Sequence, residues 1–169
     1  MDGAKRMHTM SRVGRQGRRA RWLVAALIAS GAAAPGLVAS AVAAALVDFR
    51  VVADGIPEPL VAAPGSAERG RALVIARDSA NCILCHALAN PAVRVAGTIG
   101  PALDGVGSRL SSAQLRLRVV DNLRVNANSV MPSYYRIAGL NRVAERYRDQ
   151  PILDAREVED IVAWLATLK

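Results

Sequence analysis

The sequence predicts a small all-α domain preceded by a segment built for export. Val158, Ile161, Val162, Leu165 and Leu168 fall at i, i+3, i+4, i+7 and i+10, which is one apolar stripe along a helix. Ser111-x-x-Gln114 and Asp154-x-x-Glu157 have capping-box spacing, so each opens a helix. No stretch alternates apolar and polar residues as a strand ladder would, and no internal repeat is present.

Residues 1–45 are expected to be a cleaved signal peptide. Lys5, Arg6, Arg12, Arg15, Arg18, Arg19 and Arg21 form a basic start, and an alanine-rich apolar run follows from Trp22 to Val47. Ala39-Ser40-Ala41, Ala41-Val42-Ala43 and Ala43-Ala44-Ala45 are small-residue cleavage patterns at its end. Arg18-Arg19 hints at twin-arginine export. The run is also long enough to span a bilayer, but Gly31, Pro35 and Gly36 interrupt it. The expected destination is the periplasm, with an uncleaved membrane anchor as the alternative.

The leader accounts for most of the charge. The chain has 22 Lys and Arg against 14 Asp and Glu; seven of the former and one of the latter lie in 1–45, leaving 15 against 13. With no basic stripe interleaved with aromatics, nucleic acid is not an expected partner.

Residues 46–65 read as an extended N-terminal arm, with Pro57, Pro59 and Pro64 and no helical period. It is either disordered or wraps a partner, and Val51, Val52, Ile56 and Leu60 favour the second. The domain proper spans 66–169. Ser66 is an N-cap candidate for a helix running to Ala76. Ala89 to Gly97 is loop, and Gly100 to Gly107 is turn-rich, with Asp104 a turn residue rather than a catalytic acid. The helix opened by Ser111 places Leu115, Val119 and Leu123 on one side. Asn126 to Ala138 is a loop carrying Met131, and 139–151 is polar and irregular. The last helix starts at Asp154, with Trp164 flanking its apolar stripe. Arg116, Arg118, Arg124, Arg142, Arg146 and Arg148 are expected mostly on solvated faces; docking an acidic partner or pairing with a cofactor's carboxylates are the alternatives.

The chemistry centres on Cys82-Ile83-Leu84-Cys85-His86. CxxCH is the attachment pattern of a c-type haem: two thiols at this spacing add to the two porphyrin vinyl groups, and the next residue offers its imidazole to the iron. The chain has two cysteines and the motif uses both, which leaves no second pair for a structural zinc site. A thioredoxin-like CxxC needs alternating strands and helices, which are missing; a plain disulfide is the remaining alternative. One covalently bound haem c is the expected cofactor, and its attachment to an unfolded, translocated chain favours the general export route. Outside the leader the histidines and methionines reduce to His86 and Met131. Methionine is a common soft sixth ligand beside histidine, and Pro132 disfavours helix at Met131, as suits a ligand on a loop. Core filler is the other role open to Met131; a lysine, a tyrosine or an open site are the other options for the sixth position. Tyr134 and Tyr135 line the haem edge, pack the loop or face a partner.

His86, Gly100-Pro101-x-Leu103-x-Gly105-x-Gly107-x-Arg109, Met131-Pro132 and the aromatic-bearing last helix resemble class I cytochrome c. The resemblance implies that the Pro101 carbonyl orients the His86 ring from behind. The first helix lacks the family's usual aromatic partner, so Trp164 is expected on Gly70 or Val74. Residues 97–107, Ser129-Val130-Met131-Pro132-Ser133-Tyr134-Tyr135-Arg136, Gly139-Leu140-Asn141-Arg142-Val143-Ala144, Pro151-Ile152-Leu153 and Glu157-Val158-Glu159-Asp160 resemble the SoxX family of sulfur-oxidation cytochromes. That resemblance covers about 66–169. It implies an electron-accepting subunit of an L-cysteine S-thiosulfotransferase, paired with a SoxA-like monohaem or dihaem cytochrome that carries the catalytic cysteine. A SoxYZ-like thiol carrier and a soluble cytochrome c acceptor are the further implied partners. With both thiols consumed by thioethers, no nucleophile remains on this chain. An autonomous or membrane-tethered electron-transfer cytochrome is the alternative.

Overall fold

The computed structural model describes residues 46–169, so the expected signal peptide and its cleavage lie outside the described residues. The described part is helical: α1 (Ala67–Ile75), α2 (Val106–Arg109), α3 (Ser112–Asp121) and α4 (Ala155–Leu165), with 3-10 turns at Cys82–Leu84, Asn122–Arg124 and Glu145–Tyr147. Extended pairing among these residues is confined to two isolated bridges, Val52 with Gly55 and His86 with Gly100. No described helix is long and apolar enough to cross a membrane.

The helix starts follow from their caps. Ser66 Oγ accepts from the Arg69 N–H at the head of α1. Ser111 with Gln114, and Asp154 with Glu157, form reciprocal capping boxes that satisfy N–H groups otherwise left without partners. The stripe on α4 is buried through Val158, Ile161, Val162 and Leu165, but the helix ends at Leu165, so Leu168 lies beyond it. Leu168 instead turns back, and its carbonyl accepts from the Gly107 N–H of α2 at 2.8 Å. The four-residue α2 begins at Val106, inside the stretch expected to be turn-rich, and runs two residues beyond it.

α1 crosses α4 at Gly70. A Cβ there would stand 1.9 Å from the Asp160 carbonyl oxygen, so only glycine allows the two backbones this close. The atoms nearest Gly70 are thus the backbone of α4, not the Trp164 ring expected there; Trp164 itself is buried in the core.

Two neighbouring acids on α4 fasten the surrounding elements. Glu159 takes Nε and Nη2 of Arg116 at 2.7 and 2.9 Å, and also accepts the Leu60 N–H. Asp160 takes Nε and Nη2 of Arg69 at 2.7 and 2.9 Å and the Ser66 N–H. Arg116 is therefore 5% exposed, against the expected solvated face. Its remaining Nη1 donates to the Ile56 carbonyl at 2.7 Å. Residues 46–65 are accordingly not a free arm. Ile56 and Leu60 enter the core, the Ile56 N–H donates to the Ala113 carbonyl, and the Val47 N–H donates to the Tyr135 hydroxyl. A buried guanidinium needs its N–H groups answered, and the carbonyls of this segment answer them.

Burial alone would raise the Asp160 carboxyl, but the hydrogen bonds from Arg69 and Ser66 and the Arg69 and Arg156 charges outweigh it and hold it below the ordinary carboxylate range. A folded value below the unfolded one adds stability that is present above the unfolded pKa of about 3.9 and is lost as pH falls through the folded value. The denaturant midpoint of the wild type should exceed that of Asp160→Asn near neutrality, and the gap should close as pH drops below about 4. Gly70→Ala should lower stability by about 3 kcal/mol or prevent folding, through overpacking against backbone. Gly139→Ala meets nothing within 4 Å and carries only the left-handed penalty at φ +67°, about 1 kcal/mol, in the same denaturation assay.

Candidate functional site

All four helices turn apolar side chains toward one cleft of about 640 Å³. Val74 of α1, Val106 of α2, Leu115 and Val119 of α3, and Ile161 and Leu165 of α4 form its inner wall. That volume lies within the range of small-molecule and cofactor pockets. Cys82, Cys85, His86 and Met131 all open onto this same cleft.

The motif side is built by backbone. Cys82–Leu84 is a 3-10 turn, and the Cys85 and His86 N–H groups both donate to the Cys82 carbonyl. This winds the two thiols and the imidazole onto one short ledge. The next chain segment runs alongside: the Gly97 N–H donates to the Ile83 carbonyl, and the Gly100 N–H to the Cys85 carbonyl. His86 Nδ1 lies 2.6 Å from the Pro101 carbonyl oxygen. A carbonyl only accepts, so Nδ1 carries a proton in this contact, and the tautomer this favours for a neutral imidazole is the one whose Nε2 keeps its lone pair. A Cβ on Gly100 would stand 2.4 Å from His86 Cε1, so the ring is also gripped from the side. Asp104 accepts the Ala89 N–H with both carboxylate oxygens, a turn role.

Cys82 and Cys85 are not joined by a disulfide. Burial pushes the Cys82 thiol up to about 11, so as a free thiol it is a poor nucleophile at neutral pH. The Tyr134 hydroxyl, buried beside the thiols, is also pushed well above its ordinary range, and it donates to the Ala80 carbonyl at 2.9 Å. Tyr134 lines the cleft, whereas Tyr135 lies outside the lining and spends its hydroxyl on Val47. Lys169, the lysine among the described residues, donates to the Gly107 carbonyl and is not part of the lining.

The loop opposite brings Asn122, Ser129, Val130, Met131 and Pro132 to the cleft. Met131 is partly buried against the core and is the methionine among the described residues. Arg109 and Arg118 are the cations of the lining; Arg109 is held by the Ala102 and Asp104 carbonyls and Arg118 by the Gln114 carbonyl. Ile99 and Val130 also line the cleft and are 71% and 79% exposed, an apolar rim. Among the described residues no three His, Cys, Asp or Glu side chains cluster as a metal cage.

The sequence offered Arg118 as one of several arginines open to a cofactor's carboxylates; it did not show the ties behind the Met131 loop, Asn122 to Ser129 and Asp121 to Ser133. Short polar residues flanking the methionine were the available signal, and they read equally well as ordinary loop composition.

Gly100→Ala should push the imidazole off the Pro101 carbonyl and cost about 1–3 kcal/mol of stability. A crystal structure of the variant, or faster solvent exchange of the ring N–H, checks this.

No family model matches the chain, and no curated protein matches it. Among solved structures, it is similar to a chain of the crystal structure of SoxXA from P. pantotrophus, at 34% identity and a TM-score of 0.67. The match covers 72% of this chain and 94% of that one.

Proposed function

The chain belongs to the SoxXA family, and we propose that within it this is the SoxX-like subunit, a periplasmic monohaem c-type cytochrome that accepts electrons from thiosulfate oxidation. The observation that carries the reading is the convergence of both cysteines, His86 and Met131 on a single apolar cleft.

The residues fit a haem. Cys82 and Cys85 stand ready for two thioethers on one ledge. His86 presents a free Nε2 because Pro101 holds the proton on Nδ1, which also raises its basicity as a ligand. Met131 would offer the metal a soft thioether sulfur, which favours its reduced form. Arg109 and Arg118 offer positive charge to the propionates, and the aliphatic wall keeps water out. Bound there, haem c would supply a one-electron acceptor.

In the proposed reaction an S–S bond forms between a carrier-protein cysteine and the outer sulfur of thiosulfate, one proton leaves the thiol, and two electrons leave in single steps. Both thiols of this chain are committed to thioethers in this reading, so the catalytic cysteine, distinct from the carrier cysteine that receives thiosulfate, belongs to a SoxA-like partner. This chain takes electrons from that partner and passes them to a soluble cytochrome c.

The test is thiosulfate-dependent haem reduction by the purified protein, alone and with its larger cytochrome partner and a SoxYZ-like thiol carrier. Reduction only in the full mixture is expected; no partner binding, with electron exchange only with dyes, would favour an autonomous cytochrome. Met131→Ala should retain covalent haem while its reduction potential falls and added ligands gain access to the iron. Cys82→Ala and Cys85→Ala should each lower covalent haem content, read by haem staining of the denatured chain.

A further inference from the structure

We infer that Asp121 and Asn122, consecutive residues at the end of α3, are positioning residues that clamp the Met131 loop from both sides and control how often Met131 leaves the cleft. This rests on the reading of Met131 as an axial ligand.

Asn122 Nδ2 donates to Ser129 Oγ at 2.7 Å, and the same oxygen accepts the Met131 N–H at 3.1 Å. Asp121, 1% exposed, accepts the Ser133 hydroxyl at 2.5 Å on one oxygen and Arg136 Nη1 at 3.0 Å on the other. The residue two before Met131 and the residue two after it are thus each tied to neighbours at one helix end. Behind the clamp, the Tyr134 and Tyr135 N–H groups donate to the Val119 and Val120 carbonyls, which extends the grip along the loop. α3 is a firm anchor, since Leu115, Leu117, Val119 and Val120 are all buried.

A thioether is a weak neutral ligand, so its hold on iron depends on how much of the time the loop presents it. A competing ligand binds only the open form, and its apparent affinity scales with the open fraction. Removing the Asn122 amide takes away one hydrogen bond that exists only in the closed loop and raises that fraction about tenfold.

The experiment uses the haem-loaded protein and titrates imidazole into its ferric form, while recording the charge-transfer band of the methionine–iron bond. Asn122→Ala should tighten imidazole about tenfold, and Ser129→Ala at least as much, since it also loses the bond from the Met131 N–H. The double variant should tighten it no further than Ser129→Ala alone, because that variant already removes the Asn122 bond. Ser129→Thr, which keeps the hydroxyl, should stay near wild type. Ser133→Ala should also tighten imidazole, testing the other prong without leaving the Arg124 and Arg136 charges unpaired around Asp121. Unchanged imidazole affinity in Asn122→Ala and Ser133→Ala, or an additive double variant, overturns the clamp. A wild type without the methionine band, with imidazole affinity unaltered by Met131→Ala, overturns the ligand assignment itself and the clamp with it.

Discussion

Glu159 and Asp160 are the joint on which the rest of the molecule hangs. One acid reaches Arg116 on α3, the other Arg69 on α1, and the glycine crossing at Gly70 sets α1 against the same turn of α4. The Arg116–Glu159 pair is buried on both sides, whereas Arg69 stands largely exposed beside the buried Asp160; a buried ion pair adds little net stability over apolar packing, because desolvation offsets its attraction. The effect of both pairs here is specificity of placement. A bidentate arginine accepts one geometry, so α1 and α3 take fixed positions on α4, and Arg116 in turn draws the Ile56 carbonyl onto the domain. Removing one member of such a pair leaves a charge without an answer, which is far costlier than never having had the pair.

That frame surrounds a space it does not fill. The chain has one Phe, two Trp and three Tyr, and the inner wall is valine, leucine and isoleucine facing a large cleft. Small domains are short of apolar area to bury. A flat apolar ligand held by two covalent bonds would complete this core as well as furnish the chemistry, so folding and cofactor attachment are expected to be coupled. The two sides of the cleft are built differently. The His86 side is fixed by backbone: a 3-10 turn, a carbonyl at Nδ1, and a glycine that admits the ring. The Met131 side is fixed by side chains that reach from the end of α3.

The sequence made the cleft's chemistry legible where residue identity alone decides it. CxxCH and Met131-Pro132 are short local patterns, and the Ser111 and Asp154 boxes mark helix starts through side chains that need only their own turn. What stayed hidden depends on distant partners. Arg116 lies among arginines that look solvated, and only the fold shows Glu159 43 positions away beside it. Ile56 and Leu60 announced burial, but not whether against this domain or another chain. Leu168 kept the helical period after the helix had ended, since period reports a face and not a terminus. Trp164 was expected on Gly70 or Val74 in place of the family's aromatic partner, whereas the atoms closest to Gly70 are α4 backbone.

The contrast between the two sides of the cleft bears on the proposed division of labour. A site that makes and breaks bonds at its metal needs an open position or a nucleophile beside it. Here both thiols sit on the ledge that would bind the cofactor covalently, Tyr134 gives its hydroxyl to the Ala80 carbonyl, and the lining cations are held by backbone oxygens. Asn81 also lines the cleft, and its buried Oδ1 has no hydrogen-bond partner; an amide oxygen accepts hydrogen bonds but is not a nucleophile for bond-making. Electron transfer asks for the opposite: a rigid donor set, little reorganisation, and an approachable edge. Ile99 and Val130 give the cleft an apolar rim facing solvent, where a partner can approach closely without stripping water from charges. A donor set gathered in one cleft behind an apolar rim is what the proposed electron-accepting role asks for.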